Sequence, residues 1–343
     1  MISIEHFFLL FASALTLVSL TTPVMRKIAI KLRFIDEPNL SHKSHLEPVP
    51  YLGGVAIIVG ILSVVYVAIF TQELIRGNLW IANSLFGPAL FLGIIGLIDD
   101  RKGLDPLPRF LAQSVAGIFT AMTVIATNTV GNPSGNSLLD AVITTLWIVG
   151  ISNSINFFDN LDGGAAGAVA VVALGLFAIA LSSNQGLIAA SSVTIFGSTL
   201  GFLIWNKSPA RIYMGDAGAL FLGFVLAALI IRLNPDVEGK FISFAIPILL
   251  LAIPILDTSV AVFSRIRRKK SIFQGGQDHL SHRLIRNGLS KRQTAYVLWL
   301  LAALFVSLAV VVAIVEVYVI LLIWVSGIIW LTLFLCFMRT SDE

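Results

Sequence analysis

The chain has 343 residues, of which 57% are hydrophobic and only 12% are charged, and its formal net charge is +4. Soluble globular proteins are about one quarter charged, so a single core cannot enclose this much apolar side chain, whereas a bilayer can. One cysteine excludes an internal disulfide framework and a cysteine-based metal cluster. The basic excess is explained by loops that hold one side of a membrane protein, so no nucleic-acid partner is predicted.

Eleven apolar runs follow one another along the chain, and a membrane-spanning helix needs about 20 such residues. Glu5 and His6 stand where a cleavable signal peptide would carry basic residues, so we expect the first run to be a retained span. The pattern predicts an all-α polytopic integral membrane protein with about 10–11 spans, forming a single transmembrane domain over residues 1–343. The runs lie at about residues 5–22, 52–70, 79–98, 111–130, 138–155, 163–182, 187–205, 217–233, 241–264, 294–313 and 316–338.

Lysine and arginine are distributed unevenly over the segments between these runs. Alternate segments place 20 of the 23 basic residues on one side, and only Arg76, Arg232 and Lys240 on the other. Because positive charge marks the cytoplasmic side, the N-terminus is predicted outside and the C-terminus in the cytoplasm. The cytoplasmic loops are then about residues 23–51, 99–110, 156–162, 206–216 and 265–293.

The same five loops collect nearly every side chain that could carry chemistry. Carboxylates that are brought together need a cation or hydrogen bonds to offset their repulsion. Magnesium takes oxygen ligands, usually one or two carboxylates together with substrate phosphates. We therefore predict a Mg²⁺ site, with Mn²⁺ as the alternative ion. The acidic residues at the cytoplasmic ends of the runs are Asp99, Asp100, Asp159, Asp162 and Asp216.

Amide and basic side chains complement this acidic group. Asn153, Asn156 and Asn160 offer neutral oxygen ligands or hydrogen bonds to a substrate. A diphosphate is bound by arginine through paired hydrogen bonds and by lysine as a point charge. A metal with a basic clamp is the usual apparatus of phosphoryl transfer. The basic candidates for this clamp are Lys43, His279, His282 and Arg283.

Each of these features also has a purely structural explanation. The pair Asp99-Asp100 could end a span as solvated charges, and Asp216 could be the N-cap of the eighth run. The basic stretch Arg265–Lys270 is explained by contact with anionic lipid. Asp257 lies inside the ninth run, where an ionisable residue is functional by default but could also cap the helix locally.

Taken in order, the motifs resemble the polyprenyl-phosphate N-acetylhexosamine-1-phosphate transferases. This membrane family, glycosyltransferase family 4, includes a WecA/TagO branch and the related peptidoglycan enzyme MraY. The resemblance runs from about Asp36 to Arg283 and passes through all five cytoplasmic loops. The segments that carry it are Lys43–Gly54, Asp99-Asp100, Asn153–Gly163, Tyr213–Asp216 and His279–Arg283.

The resemblance implies a role for each segment. Asp216 would bind Mg²⁺ together with Asn156, Tyr213 would stack on uracil, and Lys43 would act as a base or phosphate contact. One of the paired aspartates would take the proton from the lipid phosphate. The implied catalytic residues are Asp99, Asp100, Asp159 and Lys43, and the implied nucleotide-sugar contacts are Asn153, Asn156, Asp162, Tyr213, His279, His282 and Arg283.

The implied reaction joins a UDP-N-acetylhexosamine to polyprenyl phosphate, giving polyprenyl-diphospho-sugar and UMP. We expect N-acetylglucosamine 1-phosphate to be transferred at the cytoplasmic face of the plasma (inner) membrane, to begin a cell-envelope glycan. The oligomeric state stays open, with a homodimer as one alternative. Two positions depart from the family pattern, which usually has Arg at His42 and His at Ser281.

Two alternatives stay open at this point. A MraY-type transferase would take a muramoyl-pentapeptide donor, but such chains carry a three-histidine run followed by Phe-Glu, which is absent here. A transporter of lipid or solute would place ionisable residues near the middle of the bilayer, whereas here they gather at one surface.

Overall fold

A computed structural model describes residues 3–36, 48–71, 79–131, 133–235, 237, 240–272, 276–315 and 318–340. Within these residues the chain forms thirteen helices and two short antiparallel strands, β1 (Ile35–Asp36) and β2 (Val49–Pro50). The helices are α1 (Ile4–Lys31), α2 (Gly53–Thr71), α3 (Leu79–Lys102), α4 (Pro106–Ala126), α5 (Ser137–Phe158), α6 (Gly164–Ser182), α7 (Gly186–Asn206), α8 (Gly215–Arg232), α9 (Lys240–Leu250), α10 (Ala252–Arg267), α11 (Leu280–Arg286), α12 (Lys291–Ile314) and α13 (Val319–Arg339).

Ten of these described helices are long and apolar enough to cross a membrane, and α9 with α10 adds an eleventh candidate, bent by 74°. The bend falls just before Pro254, which lacks the N–H that would bond the carbonyl of Leu250. The prediction of an all-α polytopic membrane protein with 10–11 spans is thus confirmed. The orientation of the termini stays a prediction.

The first helix is longer than predicted. We expected a loop from residue 23, but α1 continues through Pro23 to Lys31. Proline leaves the carbonyl four residues earlier without its helical donor. Here that carbonyl, on Ser19, accepts a hydrogen bond from Trp205 Nε1 at 3.0 Å. A partner on α7 therefore stabilises a helix that local sequence argues against.

Helix α8 is the centre of the bundle and is packed by α2, α3 and α5 through glycines. Gly54 of α2 lies against the backbone of Gly218, and Gly96 of α3 lies against the backbone of Asp216. Gly223 of α8 in turn lies against the backbone of Ser152 on α5. Small residues allow this close approach of membrane helices, and it brings three helices to the N-terminal end of α8.

Substitution of one of these glycines tests the packing. A Cβ at Gly54 would overlap the backbone nitrogen of Gly218, which cannot move aside as a flexible side chain would. We expect Gly54→Ala to lower the free energy of unfolding by about 1–3 kcal/mol, measured by thermal denaturation in detergent. Gly150→Ala is the matched control, because nothing lies near its Cβ position. Equal stability of the two variants would contradict the close contact.

Candidate active site

Carboxylates from α3 and α8 meet at one end of the bundle. Asp216 is at the start of α8, and Asn156 of α5 donates to its Oδ1 at 2.7 Å. Arg109 of α4 lies with Nη1 at 2.7 Å from Asp99 Oδ2 and at 3.5 Å from Asp216 Oδ2. The backbone N–H of Leu104 donates to the other oxygen of Asp99 at 2.6 Å. Four helices thus supply one polar cluster, as the acidic motifs predicted.

Asp100 faces differently from its neighbour Asp99. Its two carboxylate oxygens accept the backbone N–H groups of Asp216, at 2.8 Å, and Ala217, at 3.2 Å. A carboxylate is stabilising there, because the N-terminus of a helix is electropositive and its first N–H groups lack partners. Gly215 has φ +72°, and any side chain on it would strike this carboxylate. Asp216 was the candidate N-cap of the eighth run; the cap comes instead from α3.

The first loop is attached to the same end of α8. Tyr213 pairs with the edge of the small sheet, donating from its N–H to the carbonyl of Pro50 at 2.9 Å. The hydroxyl of Tyr51 donates to the carbonyl of Asp100 at 2.6 Å. In sequence, Lys43 falls between β1 and β2, but it is outside the described residues, so its predicted role is untested.

The turn between α5 and α6 lies beside Tyr213. Asp162 is buried, and its Oδ2 accepts the N–H of Ala210 at 3.2 Å while Oδ1 accepts the Tyr213 hydroxyl at 3.4 Å. Burial, followed by the charge of Asp162, raises the pKa of Tyr213. Tyr213 is therefore a protonated donor, and Asp162 holds the ring that the resemblance assigns to uracil.

Asp159 is partly open to the site but surrounded by protein on most sides. This burial, with the charges of Asp100 and Asp162, raises the pKa of Asp159 from 3.8 to about 7. Protein carboxyls suited to proton transfer have pKa values near the working pH. Asp159 is thus the carboxyl of this loop whose protonation changes near neutrality.

The raised pKa of Asp159 predicts a pH-dependent stability. The folded chain holds this proton more tightly than the unfolded chain, so stability falls as pH rises from 3.8 to about 7. Asp159→Asn removes the effect. We expect the thermal midpoint of the variant, relative to that of the wild type, to rise as pH increases across this window. Above about pH 7 the difference between the two midpoints should be constant. Thermal denaturation without divalent ions measures it, and a gap independent of pH would contradict it.

Asn153 does not reach the acidic cluster. Its amide exchanges hydrogen bonds with Gln113 of α4 and donates to the carbonyl of Val149 at 2.8 Å. In this geometry it joins α5 to α4. A nucleotide contact, which the resemblance assigned to it, would have to displace one of these bonds.

The segment around the histidines is fixed by a buried ionic network. Arg265 binds both oxygens of Asp278 at 2.9 Å, and Arg268 adds a third bond at 2.9 Å. Burial alone would raise the pKa of Asp278, but the hydrogen bonds and charge of Arg265 lower it below its usual value. Arg265 is only 3% exposed. The lipid-anchor interpretation is therefore wrong for this residue.

The two histidines of this segment have different surroundings. His279 Nδ1 lies 2.7 Å from Asp257 Oδ2, so Asp257 does have a polar partner in the site. His282 receives no hydrogen bond from the described residues, and burial lowers its pKa to about 4. The ring of His282 is therefore neutral at pH 7 and keeps both nitrogens for a ligand.

The guanidinium of Arg283 is buried and bonded to groups of the chain itself. It is 1% exposed and donates to the carbonyls of Asp278, Phe337 and Thr340 and to the hydroxyl of Ser264, at 2.8–3.0 Å. Two of these carbonyls belong to the end of α13, where helical carbonyls lack partners. The geometry thus assigns Arg283 to packing of the C-terminal helix, and its role as a phosphate clamp stays a prediction.

Three residues of the site escaped the sequence analysis: Arg109, Gln113 and Tyr51. Arg109 was counted only as a topology charge, although a basic residue opening the helix after an acidic pair signals an ion pair. Gln113 follows Arg109 by one helical turn and therefore shares its face. Nothing in the sequence around Tyr51 indicates its contact with Asp100.

The cluster offers a divalent ion only a few ligands of its own. Among the described residues, no three His, Cys, Asp or Glu side chains could by themselves hold a metal. Asp216 is 31% exposed while Asp99 is 4% exposed, so Asp216 is the carboxylate open to a further ligand. Asn156, which donates to Asp216 from its nitrogen, keeps its amide oxygen as a ligand atom. This set suits Mg²⁺, which takes few protein ligands when substrate phosphates complete its shell.

Fold and site together define a multi-pass membrane protein with a buried acidic site at one end of its helix bundle. Residues 82–234 match the model of glycosyl transferase family 4. A probable undecaprenyl-phosphate N-acetylglucosaminyl 1-phosphate transferase of Bacillus subtilis is 35% identical over 309 residues, covering 88% of this chain and 83% of that protein. The chain therefore belongs to glycosyl transferase family 4.

Two further relatives lie in different branches of this family. A decaprenyl-phosphate N-acetylglucosaminephosphotransferase of Mycobacterium leprae is 34% identical, over 75% of this chain and 71% of its own. A phospho-N-acetylmuramoyl-pentapeptide-transferase of Streptococcus agalactiae is 30% identical, over 75% of this chain and 81% of its own. The family resemblance found in the motifs is confirmed.

Proposed function

We propose that this chain transfers N-acetylglucosamine 1-phosphate from its UDP-sugar to a polyprenyl phosphate, releasing UMP. The observation that carries the proposal is the cluster of Asp99, Arg109, Asn156 and Asp216 at the end of the bundle. Two of the relatives named above act, by name, in transferring this sugar phosphate to a polyprenyl phosphate. The acceptor's tail stays in the bilayer and its phosphate at the surface, so a site at one end of a bundle of membrane-spanning helices suits it.

The bond changes follow from the two substrates. An oxygen of the lipid phosphate attacks the β-phosphorus of the nucleotide sugar, the bond to the bridging oxygen breaks, and UMP leaves. Asp216 and Asn156 would hold Mg²⁺, with Mn²⁺ as the alternative, and the ion supplies charge neutralisation on the diphosphate. Arg109 holds Asp99 and Asp216 together through its Nη1.

We look for the proton acceptor among the carboxyls whose oxygens are not already used in hydrogen bonds or ion pairs within the protein. Both oxygens of Asp100 are occupied by backbone N–H groups at the start of α8. Asp99 is bound to Arg109 and to the N–H of Leu104. Asp159, with its pKa raised to about 7, is the group we assign to the proton of the lipid phosphate.

The alternative within the family is a muramoyl-pentapeptide donor, as the name of the Streptococcus relative states for that protein. The segment His279–Arg283 argues against it, because the histidine run of those enzymes is absent. We place the reaction at the cytoplasmic face of the plasma membrane, on the distribution of basic residues.

A radiolabel transfer assay tests the function and the donor together. Purified protein receives undecaprenyl phosphate, Mg²⁺ and, in parallel, UDP-N-acetylglucosamine, UDP-N-acetylgalactosamine and UDP-muramoyl-pentapeptide. We expect label in the lipid fraction and UMP release with the first donor, both lost with EDTA. Transfer of the pentapeptide donor alone would favour the alternative. Absence of transfer with every donor, from folded protein, would contradict the proposal.

A further inference from the structure

Asp257 is an acidic residue buried inside the bundle with no exposed surface. Its Oδ2 lies 2.7 Å from His279 Nδ1, and its Oδ1 accepts the backbone N–H of Leu280 at 2.7 Å. Both oxygens therefore face one short stretch of chain, the beginning of α11. A carboxylate so enclosed needs these donors, because an unpaired buried charge is costly.

The other nitrogen of His279 faces a residue that can only donate. Nε2 lies 3.3 Å from Arg265 Nη2, and a guanidinium has no acceptor. One hydrogen of Nη2 binds Asp278 Oδ1 at 2.9 Å, which leaves the second for the imidazole. Nε2 also lies 3.9 Å from Asp278 Oδ1, which is beyond hydrogen-bond distance and already accepts from Arg265. The geometry therefore makes Nε2 the acceptor and places the ring proton on Nδ1, which donates to Asp257.

His279 also contacts the end of α5, next to a residue of the acidic cluster. Its ring lies edge to face with Phe157, with centroids 5.9 Å apart, and Arg265 lies over the same phenyl ring at 5.7 Å. Phe157 follows Asn156, the donor to Asp216. Asn160, three residues after Phe157, accepts a hydrogen bond from the buried hydroxyl of Ser281. His279 and Ser281 thus contact the end of α5 and the turn that follows it.

We propose that Asp257 is a positioning residue: with Arg265 it holds His279 as the Nδ1–H tautomer and locks α11 against the turn after α5. His282 is then the histidine of this segment whose ring nitrogens are not used within the described chain and can meet the substrate. His279 then serves as a brace whose two nitrogens are both used within the protein. Ser281, which replaces a histidine of the family pattern, belongs to the same brace.

Nitrogen NMR tests the hydrogen bonding without any assumption about activity. Protein labelled with ¹⁵N-histidine has five histidines, and the His279 signals are identified by their loss in His279→Asn. We expect two- and three-bond proton–nitrogen correlations to show a single Nδ1–H tautomer for His279. An Nε2–H tautomer, or an average of both, would overturn the assignment.

Asp257→Asn tests the link to turnover, which rests on the proposed function. An amide has one acceptor oxygen and one donor NH₂ group. In the variant the NH₂ group must therefore face either the N–H of Leu280, which is also a donor, or the ring nitrogen Nδ1 of His279. The second choice forces the ring to the Nε2–H tautomer, against the donors of Arg265. We expect turnover to fall on the order of 10–100-fold, as when an outer partner of a functional histidine is removed. Asp140→Asn, a buried aspartate at the other end of α5, is the matched control.

Two substitutions of His279 separate a brace from a substrate contact. The amide nitrogen of Asn lies near the position of Nδ1, and that of Gln lies near Nε2. If the ring works through Asp257, His279→Asn keeps more activity than His279→Gln. The opposite order, or full activity of Asp257→Asn, would overturn the proposal. An inactive wild type with the Nδ1–H tautomer in place would refute the proposed function and the link to turnover, while the hydrogen bonding would stand.

Discussion

Asp216→Asn is expected to abolish sugar-phosphate transfer, lowering turnover on the order of 10³-fold or more. The reason is the loss of a metal-binding charge, since a metal ion supplies several kcal/mol of stabilisation to charge that develops during transfer. Asp216 is the exposed carboxylate of the cluster, whereas Asp99 is nearly enclosed by Arg109 and Leu104. The measurement is the radiolabel assay over a range of Mg²⁺ concentrations.

The variant is expected to fold, which makes the loss interpretable. Asparagine has the same shape, and the start of α8 is held through the backbone of residue 216 by Asp100, which is unchanged. A second measurement follows metal binding directly. A ligand that binds the folded state raises the thermal midpoint, so UDP with Mg²⁺ should stabilise the wild type and not the variant.

The matched control is Asp105→Asn, an exposed aspartate in the short loop before α4 at the same end of the bundle. It is expected to keep both transfer and the Mg²⁺-dependent stabilisation. Full transfer by Asp216→Asn would show that the ion is held elsewhere. A large fall in the thermal midpoint of that variant without ligand would assign Asp216 to the fold instead.

The membrane spans could be predicted because they depend on the hydropathy of consecutive residues, which can be read directly from the sequence. Bilayer thickness sets the length of a span, and hydropathy marks it. The eleven runs therefore match the helices, and the acidic motifs fall at helix ends as expected. The extension of α1 was not predictable, because the partner that makes Pro23 acceptable is Trp205, far away in the chain.

The pairing of residues within the site was also beyond the sequence. Asp99 and Asp100 are adjacent, yet one binds Arg109 and the other caps α8. Successive helical residues point about 100° apart, so each faces a different neighbour. Which neighbour it meets depends on how α3 packs on α8, and that packing is fixed by glycines such as Gly96, whose contacts the sequence does not reveal.

The contacts of Arg283 could not be predicted from the sequence either. The substitution Arg283→Lys separates its two interpretations, a phosphate ligand and a structural arginine. Beside two histidines in a basic loop, a phosphate ligand and a structural arginine look alike in sequence. In the fold its guanidinium donates to two carbonyls at the end of α13 and to Ser264. Lysine keeps the charge but lacks the planar fork that reaches several acceptors at once.

A structural arginine predicts a loss of stability rather than of substrate affinity. Each buried acceptor left without a donor costs about 1–3 kcal/mol, so Arg283→Lys is expected to destabilise the chain by about 3 kcal/mol or more. The thermal midpoint should fall by about 5 °C or more, measured beside Arg267→Lys, an exposed arginine of α10. A phosphate ligand would behave in the opposite way: the midpoint would hold and the KM for the nucleotide sugar would rise. The carbonyls of Asp278 and Thr340 favour the first result, because among the described residues each accepts a hydrogen bond from Arg283 alone.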